Sequence, residues 1–264
     1  LPDLVVSVID PAPVCQGNAS TLTASVSGGS GSYTYQWFQG GTPVGSGQTL
    51  TVTASTTSVY TVNVTDTNGC NGSASGTVTI APDPTVSLNT PAPICDGQSA
   101  TLSASVFGGS GIYTYTWTSN GAPLPFATST ITVTPSASTT TYGVSVVDSN
   151  GCSDNASTIV TVLPDLVVSV IDPAPVCQGN ASTLTASVSG GSGSYTYQWF
   201  QGGTPVGSGQ TLTVTASTTS VYTVNVTDTN GCNGSASGTV TIAPDPTVSL
   251  NTPAPICDGQ SATL

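Results

Sequence analysis

The chain of 264 residues has no lysine, arginine, histidine, methionine or glutamate; its charged side chains are twelve aspartates, giving −12 at pH 7. Each absence removes some chemistry. Without histidine or lysine there is no imidazole base, no Schiff-base nucleophile and no imidazole metal ligand. Aspartate and serine without a base do not make an activated nucleophile, so no enzyme is expected. With no basic residue nothing can neutralise phosphate, and neither nucleic acid nor an anionic lipid surface is an expected partner. Nor is there an apolar run of about eighteen residues, so no membrane insertion is expected.

What remains is 37% hydrophobic and rich in valine, threonine, serine, glycine and tyrosine. Disordered chains are poor in β-branched and aromatic residues. This composition favours strands over helices, and the expected fold class is all-β.

The strongest pattern is internal repetition. Residues 1–102 recur unchanged at 163–264, a period of 162 residues. A diverged repeat of half that length lies inside it: Cys15 aligns with Cys95, Trp37 with Trp117, Tyr60 with Tyr142, and Asn68-Gly69-Cys70 with Asn150-Gly151-Cys152. The modules read 1–81, 82–162 and 163–243, with 244–264 opening a further one at an end, Leu264, that falls inside an expected strand. Such an array is expected to continue in both directions. Identical tandem copies suit a structure whose length is its property, and the proline-bearing linkers Ala81–Pro84 and Leu163–Asp165 are expected to be stiff.

Period-2 alternation places strands at Leu4–Ile9, Ser20–Val26, Tyr33–Gln39, Thr42–Gly45, Thr49–Ala54, Val59–Asp66 and Gly76–Ile80. Seven short strands in about eighty residues describe a β-sandwich. Aromatic residues recurring at fixed strand positions, Trp37, Tyr60, Trp117, Tyr142, Trp199 and Tyr222, are the expected core.

The residues then carry a resemblance. Val14-x-x-Gly17-x-x-x-Thr21-Leu22-Thr23-Ala24, followed by Tyr35-x-Trp37 and by Tyr60–Cys70 (YTVNVTDTNGC), resembles the immunoglobulin-like repeats of giant Bacteroidota surface proteins. The resemblance covers every module. It implies a tandem array of seven-stranded Ig-like β-sandwiches of about 81 residues each, an extracellular location and type IX secretion. The roles it implies are adhesion, gliding or grappling-hook filaments.

In antibody domains a disulfide joins the second and sixth strands beside a tryptophan. Here those positions read as Ala24 and Val62, against Trp37. Cys15 falls instead in the turn before the second strand, and Cys70 in the turn after the sixth. Alternating strands put these turns at opposite ends of a module, roughly 20 Å apart, whereas a disulfide needs Cα atoms within about 7 Å. The preferred pairing is therefore between modules, Cys15–Cys152 and Cys95–Cys232. The alternative, Cys15–Cys70 with Cys95–Cys152, needs both turns at one end. Either pairing belongs to an oxidising compartment.

Asp66-Thr67-Asn68-Gly69, Asp148-Ser149-Asn150-Gly151 and Asp228-Thr229-Asn230-Gly231 resemble the start of a calcium loop, but the chain lacks the bidentate glutamate such a loop uses. An Asx turn is the preferred reading and no cofactor is expected. The weaker alternative is a calcium site at the junction through Asp66, Asn68 and their counterparts, with linker Asp83 or Asp165. Phe107, Ile112 and Phe126, peculiar to the second module, are the expected contacts between modules or chains. The functional expectation is the shaft of an extracellular adhesin or filament, a homo-oligomeric fibre joined by lateral contacts, whose cell-surface ligand is bound elsewhere. The alternative is a set of glycan-binding modules.

Overall fold

A computed structural model describes residues 3–252 and 254–263. The expected chain end at Leu264, and the first two residues of module 1–81, lie outside the described residues. The first module runs β1 (Val5–Ile9), β2 (Val14–Cys15), β3 (Ala19–Ser27), β4 (Tyr33–Gln39), β5 (Thr42–Gly45), β6 (Thr49–Thr53), β7 (Ser58–Asp66), β8 (Asn71–Val78) and β9 (Ile80–Ala81). Two antiparallel sheets form, in the orders β1-β3-β6 and β5-β4-β7-β8, and β2 pairs in parallel with β9. The fold is thus an all-β tandem array of seven-stranded Ig-like sandwiches.

Alternation explains the interior. On β3, Leu22 and Ala24 point inward; on β7, Tyr60, Val62 and Val64 do, and all five close around Trp37. The Trp37 indole N–H donates to Gly47 O at 2.9 Å, so the largest buried side chain leaves no orphan donor. Ala24 and Val62, at the positions of the antibody pin, are fully buried apolar contacts. Truncating a tryptophan so placed costs about 3–5 kcal/mol.

One strand differs from its expected bounds. The expected Gly76–Ile80 is divided: Ile80 belongs to β9, and Gly76–Val78 is the end of a longer strand, β8, that starts at Asn71 and pairs with β7 from Ser58↔Val78 to Thr65↔Asn71. Its first half, Asn71–Ser75, is small and polar and shows none of the β-branched residues that signal a strand. The small residues serve packing. A Cβ at Gly76 would fall within 3.0 Å of Val8, Asp10 and Leu22, and one at Gly72 within 3.0 Å of Val6. Their glycines let β1 lie against β8 and close the sandwich, and Asp10 Oδ1 then accepts the Thr77 N–H at 2.9 Å.

The second module repeats the plan with β10 (Pro84–Leu88), β11 (Ile94–Cys95), β12 (Ala100–Gly108), β13 (Tyr113–Ser119), β14 (Ala122–Leu124), β15 (Thr130–Val133), β16 (Thr139–Asp148) and β17 (Ser153–Leu163). Its sheets are β10-β12-β15 and β11-β17-β16-β13-β14, with Trp117 fully buried. The third, identical to the first, has β18 (Val167–Ile171), β19 (Ala181–Ser189), β20 (Tyr195–Gln201), β21 (Thr204–Ser208), β22 (Thr211–Thr215), β23 (Ser220–Asp228) and β24 (Asn233–Val240). The described residues of 244–264 carry no strand. The chain divides into two compact units, Leu1–Ala92 with Ser99–Thr161, and Pro93–Gln98 with Val162–Leu264.

Candidate functional site

The distinctive chemistry sits where one module meets the next. Cys15 on β2 is joined to Cys152, in the turn between β16 and β17, with Cα atoms 5.3 Å apart. Cys95 on β11 is joined to Cys232, in the turn between β23 and β24, at 5.4 Å. Both bridges cross a module boundary and both span 137 positions, so the closed loops overlap between Cys95 and Cys152. The pairing within modules, Cys15 with Cys70, is absent, and Cys70, Cys177 and Cys257 are free and exposed.

Two local devices position each bridge. On one side is the short parallel ladder at the module's end, Val14↔Ile80 and Cys15↔Ala81 in the first module and Ile94↔Val162 and Cys95↔Leu163 in the second. Neither β2 nor β11 is legible as a strand, since two residues after a Pro-Ala-Pro run show no periodicity. Ala81 packs with Cys15 and Cys152 in a small apolar cluster that keeps water from the bond.

On the other side is a turn built by aspartate. Asp148 Oδ1 accepts the N–H groups of Asn150 and Cys152, each at 2.9 Å, and Oδ2 accepts that of Ser110 at 2.9 Å. Asp66 and Asp228 do the same with Asn68, Cys70 and Ser30, and with Asn230, Cys232 and Ser192. Burial pushes these three carboxyls up, but the backbone N–H donors outweigh it and hold each below the ordinary carboxylate value of 3.8. This is an Asx turn that aims a cysteine outward from the sheet. Oδ1 of each carboxylate is thus engaged by its own turn, and Oδ2 by a backbone N–H of the loop that precedes β4, β13 or β20.

A linker aspartate also stands beside the first bridge. The Asp83 carboxylate lies within 4.8 Å of both Cys15 and Cys152 sulfurs, which are bonded to one another and so offer no thiolate to a metal. At the second joint, Asp96, Asp165, Asn230 and Asn233 line a polar cavity of about 380 Å³ beside Cys95–Cys232.

The aromatic core residues lie where the repeat places them. Trp37, Trp117 and Trp199 are fully buried, and Tyr60, Tyr142 and Tyr222 nearly so. Phe107 and Ile112 stand in solvent at 85% and 71% exposure. Phe126 is half covered in a crevice with Leu124, Val133 and Tyr142.

Compared with protein families, the chain matches the Ig-like domain described as CHU_C associated three times, over residues 2–84, 82–164 and 164–246. No curated protein matches it. Among solved structures it is similar to three N-terminal domains of the bacteriophage RB49 highly immunogenic outer capsid protein. The identity is 20%, the TM-score 0.48, and the match covers 90% of this chain and 98% of that one. A 1.5-MDa bacterial ice-binding adhesin matches at 18% identity and TM-score 0.45, over 92% and 98% of the two chains. Immunoglobulin domains 1–5 of Sidekick-1 match at 16% and 0.36, over 91% of this chain and 59% of that one.

Proposed function

The chain belongs to the CHU_C-associated Ig-like domain family, and from that membership we propose that its modules form the load-bearing shaft of an extracellular adhesin or filament. The observation that carries this reading is the pair of disulfides across module boundaries. A bridge within a module protects that module; a bridge between modules couples neighbours and opposes swivelling at their linker. Because the two loops overlap, tension that unfolds the sandwiches meets covalent bonds before the chain pays out.

Type IX secretion to the cell surface accords with regularly spaced bonded cysteines, which persist in oxidising surroundings. A uniform negative charge keeps such a surface from sticking non-specifically, and the exposed Phe107 and Ile112 supply a lateral contact that repeats with the array. No catalytic role is assigned. Glycan stacking on the tryptophans is disfavoured, since all three are buried.

The test is single-molecule stretching together with glycan-array binding. With its bridges intact, the fully unfolded chain extends to about two-fifths of its reduced length, because the bridges shorten the path between the termini. The array itself binds no glycan. Equal extension in both redox states overturns the load-bearing reading, and a specific glycan signal favours the binding-module alternative.

A further inference from the structure

Bridges that cross differ from bridges that follow one another. Cys15–Cys152 and Cys95–Cys232 divide the backbone between Cys15 and Cys232 into three stretches, 15–95, 95–152 and 152–232. The first bridge closes a loop over the first two stretches, and the second bridge over the last two. Every peptide bond from Cys15 to Cys232 therefore lies inside a closed loop, the linkers Ala81–Pro84 and Leu163–Asp165 included. Had each module been bridged on its own, Cys15 to Cys70 and Cys95 to Cys152, the linker between Cys70 and Cys95 would lie outside both loops. One cut there would part the chain.

The crossing adds a second reserve. With 15–95 cut, the ends stay joined through Cys15–Cys152 and the backbone 152–232. With 152–232 cut, they stay joined through the backbone 15–95 and Cys95–Cys232. With both cut, the path runs through Cys15–Cys152, back along 152–95 and out through Cys95–Cys232. A cut in 95–152 added to either single cut leaves that cut's own path intact. Only a cut in each of the three stretches separates the ends. The sandwich holds a cut locally as well. Ser55 lies in an exposed loop between β6 and β7, the kind of place that proteases nick. A break there leaves β4 paired with β7 from Tyr33↔Asp66 to Phe38↔Thr61 around Trp37. The bridges keep the two pieces tethered, so their pairing remains intramolecular.

We propose that the crossed bridges guard the chain against proteolysis: its ends stay covalently joined through any two backbone cuts between Cys15 and Cys232, and a module nicked once stays folded. Each cut consumes one water and leaves a new carboxylate and a new amine, and touches neither disulfide. The endoproteases concerned are those that act beside side chains other than lysine and arginine, since the chain has neither. The guard depends on oxidation: with both bridges reduced, one cut severs the chain. The inference stands on the connectivity of the two bridges and not on the shaft reading.

The experiment uses that same absence. The chain offers trypsin no site, so Ser55→Lys, Ser136→Lys and Ser217→Lys, at exposed and equivalent positions of the three modules, each open a single one. Free thiols are blocked, and trypsin is applied to the folded chain and again in urea, where every lysine is open to it. Without reductant, every single and double variant is expected to run whole at 26.0 kDa, and with reductant in fragments. The triple variant is expected to part without reductant into two pieces of similar mass, 1–55 bonded to 137–217 and 56–136 bonded to 218–264. Cys15→Ser combined with Ser55→Lys should release residues 1–55 at one cut. Near-ultraviolet circular dichroism of each folded single variant should be the same before and after cutting. Fragments from a single or double variant without reductant, a triple variant that stays whole, or loss of the near-ultraviolet signal after one cut overturns the proposal.

Discussion

The first and third modules have the same sequence and different neighbours. Inside they match: Leu22 and Leu184, Trp37 and Trp199, Val62 and Val224 are all fully buried, and the strand pairings agree residue for residue through β7–β8 and β23–β24. They part at the ends. Where Cys15 is bonded, β2 and β9 form a two-residue ladder; where its twin Cys177 is free, one bridge survives, Val176↔Ile242. Where Cys232 is bonded it is buried, while its twin Cys70 is exposed. The interior of a module is its own property, and its ends belong to the pair it forms with a neighbour.

Opening a joint is the largest way to test that division. Cys152→Ser frees Cys15, and the chain-entropy estimate for the lost bridge is about 4–5 kcal/mol. Urea denaturation of the first two modules should register it. Amide exchange on protein labelled only in the first module should show protection at residues 14–15 falling to that at 176–177. If the ladder keeps its protection without the bond, the difference between the copies has some other cause.

A smaller effect should be equal in both copies. Gly76→Ala and Gly238→Ala each put a methyl within 3.0 Å of the neighbouring strand, against Val8 and Asp10 or against Val170 and Asp172. Overpacking of this kind costs about 1–3 kcal/mol, and thermal unfolding of the two variants should show the same loss. Unequal losses would mean that a joint reaches into the sandwich it closes. Smaller again, and of opposite sign, is Ser20→Ala. The Ser20 hydroxyl and its twin Ser182 are buried without a hydrogen-bond partner, and the second module carries buried Ala100 at that place. Either substitution should stabilise its module by about 1 kcal/mol.

Much of this was legible in the sequence, for identifiable reasons. Tyr33–Gln39 and Thr42–Gly45 coincide with β4 and β5 because alternation and a Gly-Gly turn leave no other register. Chain direction alone separates Cys15 from Cys70 and brings it towards the next module. What stayed hidden were the features set by neighbours. The first half of β8 is a strand because β1 and β7 flank it, though Asn71-Gly72-Ser73 has no strand preference of its own. β2 is a strand only where β9 and the apolar cluster about Cys152 receive it. Asp83 beside the bridge follows from the linker's path, which no periodicity encodes.

The last comparison should show no difference between the copies. Asp66, Asp148 and Asp228 are ionised acceptors whose carboxyls lie below 3.8 in the folded chain. A group lowered on folding contributes its full stability above its unfolded value, about 3.9, and loses that contribution as pH falls through the folded one. Stability should thus be level above about pH 4 and decline below it. Asp66→Asn and Asp228→Asn should each remove that acid-dependent part from their own module by the same amount, read as unfolding midpoints between neutral and acid pH. The disulfide is indifferent to this titration, so the bonded turn at Cys232 and the free turn at Cys70 should lose their structure at the same pH. A bonded turn that outlasts its free twin in acid would show that the bridge, and not the aspartate, holds the cysteine in place.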